Sequence, residues 1–198
     1  DDIISYLCNK VINKPEDKAF IVSSDKDFIQ LVNDNVIVYR PMEKEYYTEQ
    51  TVIDKYKMSP KNFILHKTLL GDNSDKIKGV KGLGEKGIYK KFPELMERDM
   101  DLQDIFNICE SKFKDHVVYA RVLQNMDEIE NNYKIMNLEN PMISNKEKEY
   151  LDKVVTSEIP PYIPDQFLAF YNQDKLGGMI RNVEFWVKDI FEKLVIKE

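Results

Sequence analysis

Apolar residues recur along this chain at two different periods, and the change of period marks out its elements. Ile4, Leu7, Cys8 and Val11 fall at the i, i+3, i+4, i+7 spacing of one helix face, which predicts an amphipathic helix over residues 2–13. Ala19-Phe20-Ile21-Val22-Ser23 is instead a short, nearly unbroken apolar run of the length of a buried parallel strand. It ends in Ser24-Asp25-Lys26-Asp27, after which Phe28 to Val32 reads as helical. Val36-Ile37-Val38-Tyr39 predicts a second strand, and Glu45-Tyr46-Tyr47 a short third with Thr48 capping the next helix. Ser59 as N-cap and Pro60 at the first helical position open another helix that runs to Leu70.

Beyond Pro93 the pattern is helical. One helix is expected over about 101–113 and one over 115–130, with Val118, Val122 and Met126 on a common face. The stretch 127–153 is polar and charge-mixed, a solvated connection with a helix near 145–153. Ile159-Pro160-Pro161-Tyr162-Ile163-Pro164-Asp165 is a proline bend. A helix from about 165, a break at Gly177-Gly178 and a last helix through Trp186 and Phe191 complete the chain.

Composition adds limits. The 198 residues are 42% hydrophobic and 32% charged, an ordinary globular balance with room for one substantial core. No apolar run reaches the ~18 residues of a membrane span, and no signal-peptide pattern is present. Cys8 and Cys109 are too few for a disulfide framework and lack zinc spacing, so a reducing cytoplasm is the expected compartment (a host cytoplasm for a phage-encoded chain). Cys109 lies in the stripe Leu102, Ile105, Phe106, Cys109, which makes it a buried thiol. The chain opens Asp-Asp, directly on a helical pattern and without methionine, so it is expected to be a fragment of a longer protein.

Charge singles out one stretch. Five of the seven glycines lie between positions 71 and 87. From 76 to 91 there are six lysines and one glutamate, a local +5 in a chain of net −6, so the remainder carries −11. Gly79-Val80-Lys81-Gly82-Leu83-Gly84-Glu85-Lys86 reads as a tight turn leading into a helix that begins near Glu85, with Ile77, Val80, Leu83 and Ile88 packing the flanking helices together. Backbone amides at such a helix start, with lysines beside them, seat phosphate. This is the pattern of a helix–hairpin–helix, which grips a nucleic-acid backbone without reading bases. It is not a Walker loop. A glycine-rich turn with solvated lysines is the plainer alternative.

Three acidic pairs, Asp1/Asp2, Asp25/Asp27 and Asp72/Asp75, each close or open a regular element. Clustered carboxylates repel unless a cation neutralises them, and oxygen-only sites suit Mg²⁺ or Mn²⁺. Asp72-Asn73-Ser74-Asp75 lacks the glycine and distal glutamate of an EF-hand. His66, on a face with Phe63 and Leu70, and His116, opening a helix, read as packing or surface residues.

Taken in order, Asp-Asp-Ile-Ile, Ser-Ser-Asp-Lys-Asp-Phe-Ile-Gln-Leu, Gly-Asp-Asn-Ser-Asp-Lys-Ile and Gly-Val-Lys-Gly-Leu-Gly-Glu-Lys resemble the 5′-nuclease family from Asp1 to about Phe92. That family comprises flap endonucleases, the 5′-nuclease domain of DNA polymerase I and bacteriophage 5′–3′ exonucleases and ribonucleases H. Past residue 93 the tail looks most like the phage ribonuclease H branch. The resemblance implies an α/β fold. Residues 1–70 would be part of an incomplete parallel-sheet, PIN-like catalytic core, and 71–198 a helix–hairpin–helix (H3TH) region with a helical C-terminal domain.

By the same resemblance Asp1, Asp2, Asp25, Asp27, Asp72 and Asp75 are catalytic ligands of two Mg²⁺ or Mn²⁺ ions. The carbonyls of Val80, Gly82 and Leu83 would hold K⁺ at the hairpin, and Lys78, Lys81, Gly82, Gly84, Glu85, Lys86 and Lys90 would contact DNA. Gly84-Glu85-Lys86-Gly87-Ile88 departs from the usual Gly-x-Lys-Thr-Ala, and the family's amino-terminal half, with further ligands, is missing. The implied activity is divalent-metal-dependent 5′–3′ hydrolysis of phosphodiesters in 5′ flaps, nicked duplex or RNA primers during replication. This chain alone would have an incomplete first metal shell. Implied partners are branched or nicked DNA, RNA–DNA duplex, the missing amino-terminal half, and a single-strand-binding protein or sliding clamp, although no clamp-binding peptide ends the chain. The alternatives are a non-catalytic helix–hairpin–helix DNA-binding module and one half of a split nuclease.

Overall fold

A computed structural model describes residues 1–12, 14–158 and 163–191. The chain falls into two compact units, Asp1–Val155 and Thr156–Glu198.

The first unit begins with helix α1 (Asp2–Val11) and a three-stranded sheet in the order β1-β2-β3. Strand β1 (Ala19–Val22) runs parallel to β2 (Val36–Arg40), Ala19 opposite Val36 and Val22 opposite Tyr39. Strand β3 (Glu45–Tyr47) is antiparallel to β2, so the sheet is mixed where a parallel one was expected. Only a four-residue turn separates β2 from β3, too short for the crossover a parallel partner needs. Alternate residues of β2 point inward: Val36 and Val38 pack with Ile21, Phe28, Ile29, Leu31, Val52 and Phe63. Buried Arg40 makes a two-pronged pairing with Glu43 through Nε and Nη2, at 2.7 and 2.9 Å, and lies over the Tyr47 ring, while its Nη1 has no hydrogen-bond partner. Phe20, Val22 and Tyr46 are exposed.

After β1 the chain enters a 3₁₀ turn, Asp27–Leu31, all of it buried, where the sequence reads as helical. Gln30 explains its depth. Its amide donates to the Met136 carbonyl at 3.0 Å and accepts from the Leu138 amide at 2.9 Å, clasping a segment more than a hundred residues downstream. Helix α2 (Glu49–Tyr56) is capped by Thr48 as read from sequence. Ser59 and Pro60 open a 3₁₀ turn that passes into α3 (Phe63–Leu70).

Helix α3 ends at the glycine-rich stretch, which makes a small antiparallel hairpin of β4 (Gly71–Asp72) and β5 (Ile77–Lys78). Gly71 sits at φ +77°. A Cβ on Gly79 would lie 2.1 Å from the Leu70 carbonyl, so two backbone passes meet here at a distance only glycine permits. A tight turn follows, Leu83 N–H donating to the Val80 carbonyl with Gly82 at φ +84°, and then α4 (Glu85–Lys91) begins at the expected residue.

One apolar cluster spans the expected division at 70/71. Leu65 and Leu69 of α3 pack with Val80, Leu83, Ile88 and Phe92, and with residues of three later helices, α5 (Leu102–Lys112), α6 (Val117–Gln124) and α7 (Met126–Met136). The expected single helix 115–130 is two, broken at Asn125, and residues 127–136 are helical with Ile129, Asn132 and Met136 buried rather than a solvated connection. Fully buried Cys109 belongs to this cluster, and burial pushes its thiol up to about 12. Helix α8 (Asn145–Thr156) closes the unit. The second unit holds α9 (Pro164–Gln173) and α10 (Val183–Phe191), with the Phe167 and Trp186 rings 6.3 Å apart. Residues 159–162 of the proline bend lie outside the described residues.

Gly79→Ala should cost about 3 kcal/mol or more, because a methyl group has no space against the Leu70 carbonyl. Urea unfolding checks this, with Gly84→Ala, which meets nothing within 4 Å, as the mild control.

Candidate functional site

The ends of two elements deliver carboxylates to one cleft of about 510 Å³, bordered by Ser24 to Asp27, Tyr56, Phe63, His66, Lys67, Leu70 to Ser74 and Glu85. Strand β1 ends at Val22, and two local hydrogen bonds shape the turn that follows. Asp25 N–H donates to Ser23 Oγ at 3.0 Å, and Asp27 N–H to Asp25 Oδ1 at 2.9 Å. Asp25 is therefore turned toward its own backbone and exposed, while Asp27 is driven inward. Across the cleft, Asp72 Oδ1 accepts from Ser74 N–H at 2.8 Å, from Ser74 Oγ, and from Asp75 N–H at 3.4 Å. This local turn, an aspartate accepting from amides two and three residues on, holds the 72–75 loop in shape.

The carboxylates of Asp27, Asp72 and Asp75 come within 4.8 Å of one another. Two unit charges that close near a protein surface repel by about 3 kcal/mol. The structure answers the repulsion with Lys67 of α3, whose ammonium pairs with Asp27 Oδ1 and, at 2.7 Å, with Asp72 Oδ2. This pairing, with the Ser74 hydrogen bonds, holds the Asp72 carboxyl well below the usual carboxylate range. The donor set is three carboxylates and no sulfur or imidazole, which fits a hard divalent cation.

The structure does not bring Asp1 and Asp2 to this cluster. Asp2 accepts from the Met142 amide at 3.0 Å and borders a separate hollow with Ile143, Glu147 and Tyr150. Helix α1 is held there by Ser5 Oγ donating to the Leu138 carbonyl and by Tyr6 OH donating to Asp152 at 2.8 Å. Asp25 borders the cleft but stands outside the three-carboxylate group.

The cleft floor is aromatic. His66 stacks on Phe63 with centroids 5.6 Å apart, and neither ring nitrogen has a hydrogen-bond partner. Burial lowers its pKa to about 4, so the imidazole is neutral. His116, by contrast, caps α6, its Nδ1 accepting from Val118 N–H at 3.2 Å.

At the hairpin, Lys78, Lys81, Gly82, Gly84, Glu85, Lys86 and Lys90 are all exposed, whereas Val80, Leu83 and Ile88 are buried beneath them. The Val80 carbonyl is engaged by Leu83 N–H. Arg121 of α6 reaches the turn from forty residues away, its Nη1 donating to the Lys81 carbonyl at 2.7 Å. Lys67 and Arg121 were not legible as site residues from sequence. Lys67 stands five residues before Asp72, a spacing with no fixed meaning, and only tertiary packing brings Arg121 near.

Three comparisons with known proteins accord with this geometry. A family model described as the 5′-3′ exonuclease N-terminal resolvase-like domain matches residues 1–57. The 5′-3′ exonuclease of Aquifex aeolicus is 40% identical over 95 residues, which is 46% of this chain and 32% of that protein. DNA polymerase I of Caldicellulosiruptor bescii is 27% identical along an alignment of 209 positions, covering 100% of this chain and 21% of the polymerase. The chain thus spans about a third or less of these relatives. A crystal structure of the bacteriophage T5 D15 flap endonuclease, a complex with DNA and metal ions, superposes with a TM-score of 0.58 at 18% identity, over 79% of this chain and 54% of that one. That likeness shows a common α/β fold, and together the matches bear out the resemblance to the 5′-nuclease family.

His66 makes stability pH-dependent. The unfolded imidazole takes up its proton near pH 6.5 and the folded one only near 4, so stability is greatest above 6.5 and falls as pH drops between those values. His66→Phe should flatten that fall, by up to about 3 kcal/mol at pH 4, in urea unfolding measured across the range.

Proposed function

We infer that this chain, kin to the 5′-nuclease family, carries the metal-binding and duplex-gripping parts of a divalent-metal-dependent 5′–3′ nuclease. The observation that carries this reading is the convergence of Asp27 and Asp72, which line the cleft, with exposed Asp75 beside a basic hairpin. Asp27, Asp72 and Asp75 would hold the cation, with Asp25 at the rim and Asp1 and Asp2 recruited only by a different seating of α1. Bound there, Mg²⁺ or Mn²⁺ supplies an activated water and neutralises the leaving oxygen in phosphodiester hydrolysis.

The chain's own residues do the positioning. The 72–75 loop aims two carboxylates, and the turn after β1 aims a third. Exposed Lys78, Lys81, Lys86 and Lys90, with Arg121, would hold duplex phosphates beside the cut, Gly82, Gly84 and Glu85 offering backbone. This grip is sequence-independent and salt-sensitive. K⁺ on the carbonyls of Val80, Gly82 and Leu83 would add positive charge at the same turn. The substrates are 5′ flaps, nicked duplex or RNA–DNA duplex in replication, in the cytoplasm, with a single-strand-binding protein or sliding clamp as further partners.

The reading predicts Mn²⁺- or Mg²⁺-dependent cleavage of a labelled 5′-flap duplex, by the chain alone or when supplemented with the amino-terminal part of a relative. Asp72→Ala should lower the rate at least a hundredfold while duplex binding persists. Cleavage unchanged by Asp72→Ala sinks the assignment. Separately, Arg121→Ala and Lys81→Ala should each weaken duplex binding several-fold and lower the slope of log K against log salt by about one unit. Salt-titrated fluorescence anisotropy reads both.

A further inference from the structure

Lys67 is an anomaly in a cleft that would hold divalent cations. Its side chain is only 11% exposed, and its ammonium sits on two of the three carboxylates that form the candidate metal site. A buried lysine costs desolvation unless it is paired. A second cost balances it, since Asp27, Asp72 and Asp75 repel one another when gathered without a cation. The two liabilities cancel where they meet. Lys67 is paired with Asp27 Oδ1 and Asp72 Oδ2, so it engages two of the three carboxylates that a cation would need. Oxygens on opposite sides of an octahedral Mg²⁺ stand about 4 Å apart. Neighbouring oxygens on such an ion stand about 3 Å apart, so the group within 4.8 Å would contract onto an ion once the ammonium leaves.

We propose that Lys67 is the resident counterion of the metal centre: its ammonium holds Asp27 and Asp72 in place without metal and gives up that position to an entering divalent cation. The inference rests on the nuclease reading of this cleft and goes beyond it by assigning Lys67 a positioning role. Lysine suits the exchange because it is a compact point charge on a flexible stem, able to swing aside without breaking a fixed fork of hydrogen bonds. Its backbone stays anchored meanwhile, because Leu65 and Leu69 on either side of it in α3 are buried in the core. The site therefore stays assembled in the metal-free protein, at the cost of weaker metal affinity than three bare carboxylates would give.

Two measurements test this, neither requiring turnover. In the wild-type chain, lysine acylation read by peptide mass spectrometry should leave Lys67 slow to react in chelator. Its labelling should rise at least fivefold with saturating Mn²⁺, while exposed Lys114 labels equally in both. Calorimetric titration with Mn²⁺ should show Lys67→Met binding at least tenfold tighter than wild type. The variant should also have a lower thermal midpoint in chelator and a larger rise on adding Mn²⁺. Mn²⁺ binding with Lys67 still shielded, or with Lys67→Met no tighter than wild type, overturns the exchange and leaves the nuclease reading standing. Failure of the wild type and the variant to bind Mn²⁺ at all sinks both. A variant that fails to fold leaves the wild-type labelling to decide.

Discussion

The close passage of backbone at Leu70–Gly71 and Gly79 is the constraint on which the other features hang. Because the chain returns to within a side chain's width of where α3 ended, residues 72–78 must form a short closed hairpin. That hairpin has room for one tight turn, and its geometry is set by Asp72 accepting from the Ser74 and Asp75 amides. The same return places Val80, Leu83 and Ile88 against Leu65 and Leu69, so the basic turn above them rides on a packed apolar base. One crossing thus positions both the acidic loop and the basic hairpin, and fixes them relative to each other.

Electrostatics then divides the molecule's surface. A chain of net −6 concentrates lysine in one exposed stretch and gathers acid in the adjoining cleft. Left alone, such a cleft repels both its own carboxylates and an approaching phosphodiester. A cation resolves both, which is why an acidic cleft beside a basic grip suits metal-assisted work on nucleic acid better than it suits DNA binding alone. Lys67 provides part of that positive charge from within the fold.

Several long-range ties hold the cleft's other wall. Gln30 clasps the chain at Met136 and Leu138, burying the turn that carries Asp27. Ser5 donates to the carbonyl of that same Leu138, and Asp2 accepts from the Met142 amide. The consequence is a first turn of α1 committed to the 138–152 segment rather than to the cleft. A motif that pairs Asp1 and Asp2 with metal presupposes a different environment for α1.

Much was legible in the sequence because the determinants are local. Alternation and apolar runs placed β1, β2, β3 and α2. Ser59-Pro60 placed a helix start, and the glycine spacing placed the turn and α4, since φ above zero and backbone contact leave little choice but glycine. The carboxylates of Asp27, Asp72 and Asp75 could be suspected for the same reason, each belonging to an acidic pair at the end of a regular element. Local pattern failed at 127–136, where a polar sequence with only three buried positions still makes a helix because α3 and α5 cover that face. It was silent on the direction of β3, which follows from turn length and not from composition. What only the tertiary structure decided is which charges meet. The pairing of Lys67 with two aspartates, the reach of Arg121 to the Lys81 carbonyl and the exclusion of Asp1 and Asp2 depend on contacts between residues far apart in sequence or on rotamer choices made by packing. Hydrophobic periodicity carries no information about either.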